Sequence, residues 1–330
     1  MKKLFGAAGS LILAGAVATL LRGLEPLAHA APEPAQSTPG PLTATTMQRL
    51  LLADAVRMGN RIVAVGDRGY IVLSDDGGAT WKRAKSPAAP LLTAVRFIDA
   101  RRGWAVGHDS VILTTADGGE TWAQQFSAPA ENRPLLDVLF LDANAGIAVG
   151  AYGAYYETAD GGKTWNDRKA STDDKHLNAI VNAGEGKLVI LGEAGTILTS
   201  PDSGKTWKPI ASPYKGSLFG AVLAEDGAVV AFGMRGRIFR SVDAGATWTQ
   251  VDNPSTATLL GGSSLPGGTL VIAGSAGTAL VSRDGGKSFV PLASGTTRAF
   301  SKVILGAPDS LLLLGEAGAR SVALPSAVKR

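Results

Sequence analysis

Six aspartates recur at nearly constant distance: Asp76, Asp117, Asp160, Asp202, Asp243 and Asp284, spaced 41, 43, 42, 41 and 41 residues apart. Paired carboxylates can do acid–base work on a glycoside, provided two of them face one bond. These six instead arrive once per repeat, each in the same octapeptide: SDDGGATW, TADGGETW, TADGGKTW, SPDSGKTW, SVDAGATW and SRDGGKSF. An aspartate in a tight turn accepts hydrogen bonds from nearby backbone N–H groups. The glycine two residues later can take a positive φ, and the closing aromatic can pack between neighbouring units. An active site is singular, whereas a turn residue serves every repeat alike, so the six carboxylates read as structural. No catalytic residue is assigned.

Other chemistry finds little support. The chain has no Cys and three His, of which His108 and His176 lie beyond the N-terminal segment; neither has a spaced partner, so no metal site and no cofactor are expected. GSAG and GEAG are not followed by helical sequence and do not read as phosphate loops.

A second landmark sets the architecture. A glycine closes a short apolar run eight residues before each octapeptide, at Gly66, Gly107, Gly150, Gly192, Gly233 and Gly274, with a seventh copy at Gly315. Leu92, Leu135, Leu177, Leu218, Leu259 and Phe300 stand fifteen residues before the glycines from the second copy on. Units of about 40 residues with room for four short strands are propeller blades. The fold class is therefore all-β, a seven-bladed β-propeller of four-stranded antiparallel blades over residues 41–330. Blade seven lacks its own octapeptide, and residues 41–48 fall in the phase of a fourth strand. The expected closure is this N-terminal strand pairing with the strand near residues 318–323, which would leave no bare sheet edge.

Residues 1–30 read as a signal peptide: Lys2 and Lys3, an apolar stretch from Leu4 to Leu21, and the small-residue site Ala28-His29-Ala30. Residues 31–40, APEPAQSTPG, read as a linker. Cleavage after Ala30 would leave 29 basic and 27 acidic residues, too balanced a charge for a nucleic-acid partner.

The octapeptides resemble the Asp-box (BNR) repeats of sialidases. Together with VGDRGYIVLS, VGHDSVILTT and VGAYGAYYET, they make residues 41–330 resemble the photosystem II stability and assembly factor family. That resemblance implies a monomeric propeller in the periplasm or thylakoid lumen, a non-catalytic scaffold for a membrane-protein subunit or envelope complex. Cyanobacterial members carry a lipid-anchoring Cys that this chain lacks. The competing expectation is a sialidase-like glycoside hydrolase, and the regular repeats leave little room for the loops such a site needs.

Propellers bind on the end made by the turns between second and third strands and by the links between blades. The candidate partner-binding residues there are Arg68, His108 and Arg235 in the turns, and Arg133, Lys175, His176, Lys215 and Arg298 before innermost strands. Grouped around the channel mouth, they would grip a carboxylate terminus or an acidic segment. N-terminal sequencing of the exported protein is expected to begin at Ala31; a sequence beginning at Met1 would refute the signal assignment.

Overall fold

The computed structural model describes residues 39–87 and 90–324. The signal segment, most of the linker and the stretch where an octapeptide of blade seven would fall lie outside the described residues. Seven antiparallel sheets follow one another along the chain, a seven-bladed propeller. Blade three is representative, with strands Leu135–Phe140, Gly146–Gly150, Tyr155–Thr158 and Asn166–Asp167 paired in that order from the inside out. The other innermost strands are Leu52–Met58, Leu92–Phe97, Leu177–Asn182, Leu218–Leu223, Leu259–Ser264 and Phe300–Leu305.

The second strands are apolar without alternation, GWAVG, GIAVG, LVILG, VVAFG and LVIAG among them, and all five residues of each are buried. A strand enclosed on both faces reads as a continuous apolar run. Here the two faces meet two neighbouring blades, so the core is divided among seven seams. Val63, Leu73, Leu92 and Leu113 fill the seam between blades one and two; Ile147, Leu177 and Leu188 fill that between three and four. The octapeptide aromatics close six of these seams, Trp81 and Trp122 lying 6% and 5% exposed against the preceding blade. Their indole N–H groups donate to Gly78 and Gly119 carbonyls at 3.0 and 2.9 Å, so burying them leaves no unpaired donor.

The glycine landmark has a steric cause. A Cβ on Gly150 would stand 2.2 Å from the carbonyl oxygen of Pro134, and the six other blades repeat this at 1.9 to 2.3 Å. Gly150 is extended (φ −168°), so the requirement is space and not handedness. The space admits a bond: Ala151 N–H donates to Pro134 O at 2.8 Å, as His108 does to Leu91 and Glu193 to His176, both at 2.9 Å. A bulge follows at once in every innermost strand, for example between Leu135 and Asp137.

Closure differs from the sequence expectation. Pro41–Leu42 pairs with Trp81–Arg83 on the outer edge of blade one, making that sheet five-stranded, while blade seven has three strands among the described residues. Residues 41–48 do not form one strand. Thr43 caps a short helix, Ala44–Met47, by accepting the Thr46 N–H at 3.1 Å, and Met47 and Leu50 turn inward against Leu312 and Leu314 of blade seven. The ring is joined by the bonds that join other seams. Gly318 N–H donates to Leu50 O at 2.9 Å, as Gly153 does to Lys175 O and Gly195 to Gly216 O. Ser301 Oγ donates to Leu52 O at 2.5 Å, as Thr93 Oγ1 does to Leu135 O at 2.7 Å. Phase counting could not see this, because the N-terminal segment supplies side chains and one carbonyl to the seam in place of a ladder.

Gly150→Ala is expected to destabilise by about 2–3 kcal/mol, since the methyl must displace a carbonyl held by a hydrogen bond. Thermal unfolding checks this against Gly184→Ala, whose Cβ would meet nothing within 4 Å but which keeps a positive-φ cost of about 1 kcal/mol.

Candidate partner-binding face

The two ends of the propeller carry different chemistry. One end holds the octapeptide turns. Asp160 accepts the Thr158 hydroxyl at 2.8 Å, the Thr164 N–H at 2.9 Å and the Thr164 hydroxyl at 2.7 Å, and the Thr158 oxygen accepts Gly162 N–H. Asp76, Asp117, Asp202, Asp243 and Asp284 repeat the set. The Thr164 N–H and hydroxyl hold Asp160 at about 2, well below the usual 3.8. Such a carboxylate is ionised and fully engaged by its own turn. The glycine two residues on is left-handed in each, from Gly78 (φ 96°) to Gly286 (φ 81°).

The opposite end is built from the turns Asp67–Gly69, His108–Ser110, Ala151–Gly153, Glu193–Gly195 and Met234–Gly236, and from the links before innermost strands. All eight sequence-selected residues lie here, in different states. Arg133 is consumed: it bonds Tyr156 Oη at 2.8 Å, Asp167 at 2.6 Å and Glu131, and lies over the Tyr156 ring. Lys175 pairs with Asp173 at 3.0 Å. His176 is buried, edge-on to Tyr152 with ring centroids 4.9 Å apart. Burial pushes the His108 imidazole below its ordinary value, against the opposing effect of Asp109. Arg68 is 79% exposed and only loosely paired with Asp67, at 3.5 Å. Lys215, Arg235 and Arg298 are exposed with no side-chain acceptor among the described residues. The open cations of this set therefore belong to blades five, seven and one, whereas Arg133 and Lys175, beside blades three and four, are paired. Arg49 and Arg237, exposed beside the same links and turns, extend the basic side and were not selected from the sequence.

Several acids of this face are structural. Asp67, Glu193 and Glu316 open equivalent turns and accept the N–H of Leu51, His176 and Ala299 at 3.2, 3.3 and 3.0 Å.

The innermost strands enclose a central channel of about 470 Å³, and sequence reasoning missed its charges. Lys302 on blade seven bonds Asp54 on blade one at 3.0 Å; Arg96 on blade two bonds Asp54 at 2.5 Å and Asp137 on blade three at 2.8 Å. Asp54 also accepts Val95 N–H at 3.0 Å, and Asp137 accepts Ile180 N–H on blade four at 3.1 Å. One chain of charge-assisted bonds thus braces five blades. Burial raises both carboxyls, but Lys302 and Arg96 more than reverse this at Asp54, whereas Asp137, with Arg96 alone, stays raised. The signal was present in LADAV, AVRF and LLDVLF, where a lone charge interrupts an apolar strand.

The Tyr–Glu pairs that a sialidase-like site would use are buried. Tyr155 bonds Glu157 at 3.0 Å and Tyr156 bonds Glu131 at 2.7 Å, but both rings are 1% exposed. Burial, before the effect of Glu131, pushes the Tyr156 hydroxyl up to about 12, which suits a hydrogen-bond donor and not a nucleophile.

Residues 124–264 match the photosynthesis system II assembly factor YCF48 family. A solved structure described as YCF48 bound to D1 peptide superposes with a TM-score of 0.68 at 22% identity, covering 87% of this chain and 96% of that one. The chain is a seven-bladed propeller, similar to these assembly factors over residues 124–264. YCF48 from Cyanidioschyzon merolae gives 0.68 at 19% identity, covering 87% and 99%. The Niastella koreensis GH74 enzyme gives 0.66 at 16% identity over 84% of this chain but 53% of its own, so this chain spans about half that enzyme. At these identities the structural likeness shows the fold alone. No curated protein matches the chain in sequence.

Asp54→Asn is expected to cost about 3 kcal/mol, because it leaves Lys302 without its carboxylate partner and Arg96 with one carboxylate. Asp137→Asn should cost less, since burial, only partly offset by Arg96, already penalises its charged form. The signs oppose. Asp54, lowered from 3.8, contributes stability above that pH and loses it as pH falls through its folded value; Asp137, raised, loses stability as its proton leaves with rising pH. Unfolding measured from pH 3 to 7 checks both.

Proposed function

We propose that this chain is an exported, monomeric, non-catalytic scaffold that holds a segment of a membrane-protein subunit while a complex is assembled. The single observation that carries the reading is the state of the cations on the end opposite the octapeptides: Arg68, Lys215, Arg235 and Arg298 stand open on blades one, five and seven. Guanidinium and ammonium groups that are open or, like Arg68, only loosely paired suit an acidic segment or a free terminal carboxylate. The D1 peptide bound by the related YCF48 supports a peptide as the kind of ligand. Its partner is a subunit of an envelope or thylakoid complex, the signal segment of residues 1–30 directing the chain there. The buried Tyr–Glu pairs and the engaged octapeptide carboxylates speak against the hydrolase that the GH74 neighbour suggests.

The test uses fluorescence anisotropy with a labelled peptide rich in Asp and Glu, prepared with a free and with an amidated C-terminus. Arg235→Glu with Arg298→Glu should weaken binding at least about tenfold, leave the melting temperature unchanged, and abolish most of the salt dependence. Equal binding by the double variant would sink the proposal. So would turnover of xyloglucan by the wild type.

A further inference from the structure

Five tyrosines are present, and four are committed. Tyr155 and Tyr156 are buried and bonded as described above. Tyr214 donates to Met234 O at 3.3 Å and packs on Phe239. Tyr70 lies beneath the Arg83 guanidinium, 4.1 Å from ring centroid to Cζ. Tyr152 differs. It is 47% exposed, the one exposed aromatic among the described residues, and its hydroxyl has no partner there.

Its position fixes what surrounds it. Tyr152 occupies the left-handed tip of its turn (φ 55°), the place held by Arg68, Asp109, Ala194, Arg235 and Ala276 in other blades. The ring is propped edge-on by His176, itself 2% exposed, so the aromatic is held and not merely tethered. The link Asp173–Lys175 runs beside it: Gly153 N–H donates to Lys175 O at 3.0 Å, and a Cβ on Gly153 would stand 3.5 Å from Asp174 Cα. Asp174 is exposed with no side-chain partner among the described residues. Asp173 holds only the exposed Lys175 pair, which is worth little and exchanges readily.

Twice on this end the protein sets a guanidinium over a tyrosine ring. Arg83 lies on Tyr70, and Arg133 lies on Tyr156 between the Glu131 and Asp167 carboxylates. The Tyr152 corner offers a held ring with the Asp173–Asp174 stretch running beside it, and no arginine of its own lies over the ring among the described residues. We propose that Tyr152, with Asp173 and Asp174, is a docking point for an arginine side chain of the partner protein. This rests on the reading of that end as the partner-binding face and adds a second, oppositely charged contact at the seam of blades three and four. A partner segment is then held with a fixed direction: its acidic part meets blades five, seven and one, and its arginine meets Tyr152.

The probe is an end-blocked Gly-Gly-Arg-Gly-Gly peptide, with its neutral isostere carrying citrulline in place of arginine. Titrations into the full chain are followed by the Tyr152 ring signals and the Asp174 amide in NMR. The arginine peptide should shift both saturably in the millimolar range, and the citrulline peptide should not. Tyr152→Ala should weaken the arginine peptide about three- to fivefold, and Asp174→Asn should weaken it as well. Alanine already occupies the equivalent tip in two blades, so an unchanged melting temperature confirms that the turn survives. Equal response to the two peptides, or undiminished binding by Tyr152→Ala, overturns the proposal. Failure here leaves the acidic-peptide result on blades five, seven and one unaffected, so the two readings fail separately.

Discussion

In each blade a carbonyl oxygen lies about 2 Å from where a Cβ would stand on the glycine ending the second strand, and the ring depends on that approach. The gap lets the next N–H reach the carbonyl, which pins the start of the innermost strand to the turn beside it. The bulge that follows sets aside one residue per blade. Where that residue is Thr93, Asn178 or Ser301, its side chain bonds a carbonyl of the neighbouring innermost strand. A local steric constraint is thereby converted into contact between blades. Because each blade meets only its neighbours, the same solution serves seven times.

The asymmetry of the ends follows from how hydrogen-bond acceptors are spent. At the octapeptide end, carboxylates are saturated by their own turns. At the other end, Asp67, Glu193 and Glu316 serve backbone donors, Arg133 is locked to Tyr156, and Lys215, Arg235 and Arg298 have no side-chain acceptor among the described residues. On blades five, seven and one the rim's bases stand open, so that side is electrostatically available to an acidic partner although the formal net charge of the chain is only +4. The channel makes the opposite choice: Lys302, Asp54, Arg96 and Asp137 satisfy one another and stiffen the ring that presents the rim.

The stretch that matches the YCF48 family, residues 124–264, carries Lys215 and Arg235 of the open rim. The GH74 likeness reflects the shared architecture. Fold alone does not carry chemistry.

Spacing by itself determined the blade number, the blade length, the structural place of the six aspartates and the need for glycine at seven positions, because each of these is a local rule repeated in register. Local turn chemistry and short-range sterics are written in contiguous residues, so they can be read there. The tertiary structure decided what no repeat encodes. It sent residues 41–48 to the outside of blade one and the seam with blade seven, because Met47 and Leu50 find apolar partners there. It joined Asp54 to Lys302, residues 248 apart in sequence, and took Arg133 out of the set of open cations by placing Tyr156 and Asp167 beside it. Which charges are free depends on what the fold sets beside them, across the closing seam for Asp54 and Lys302 and within blade three for Arg133.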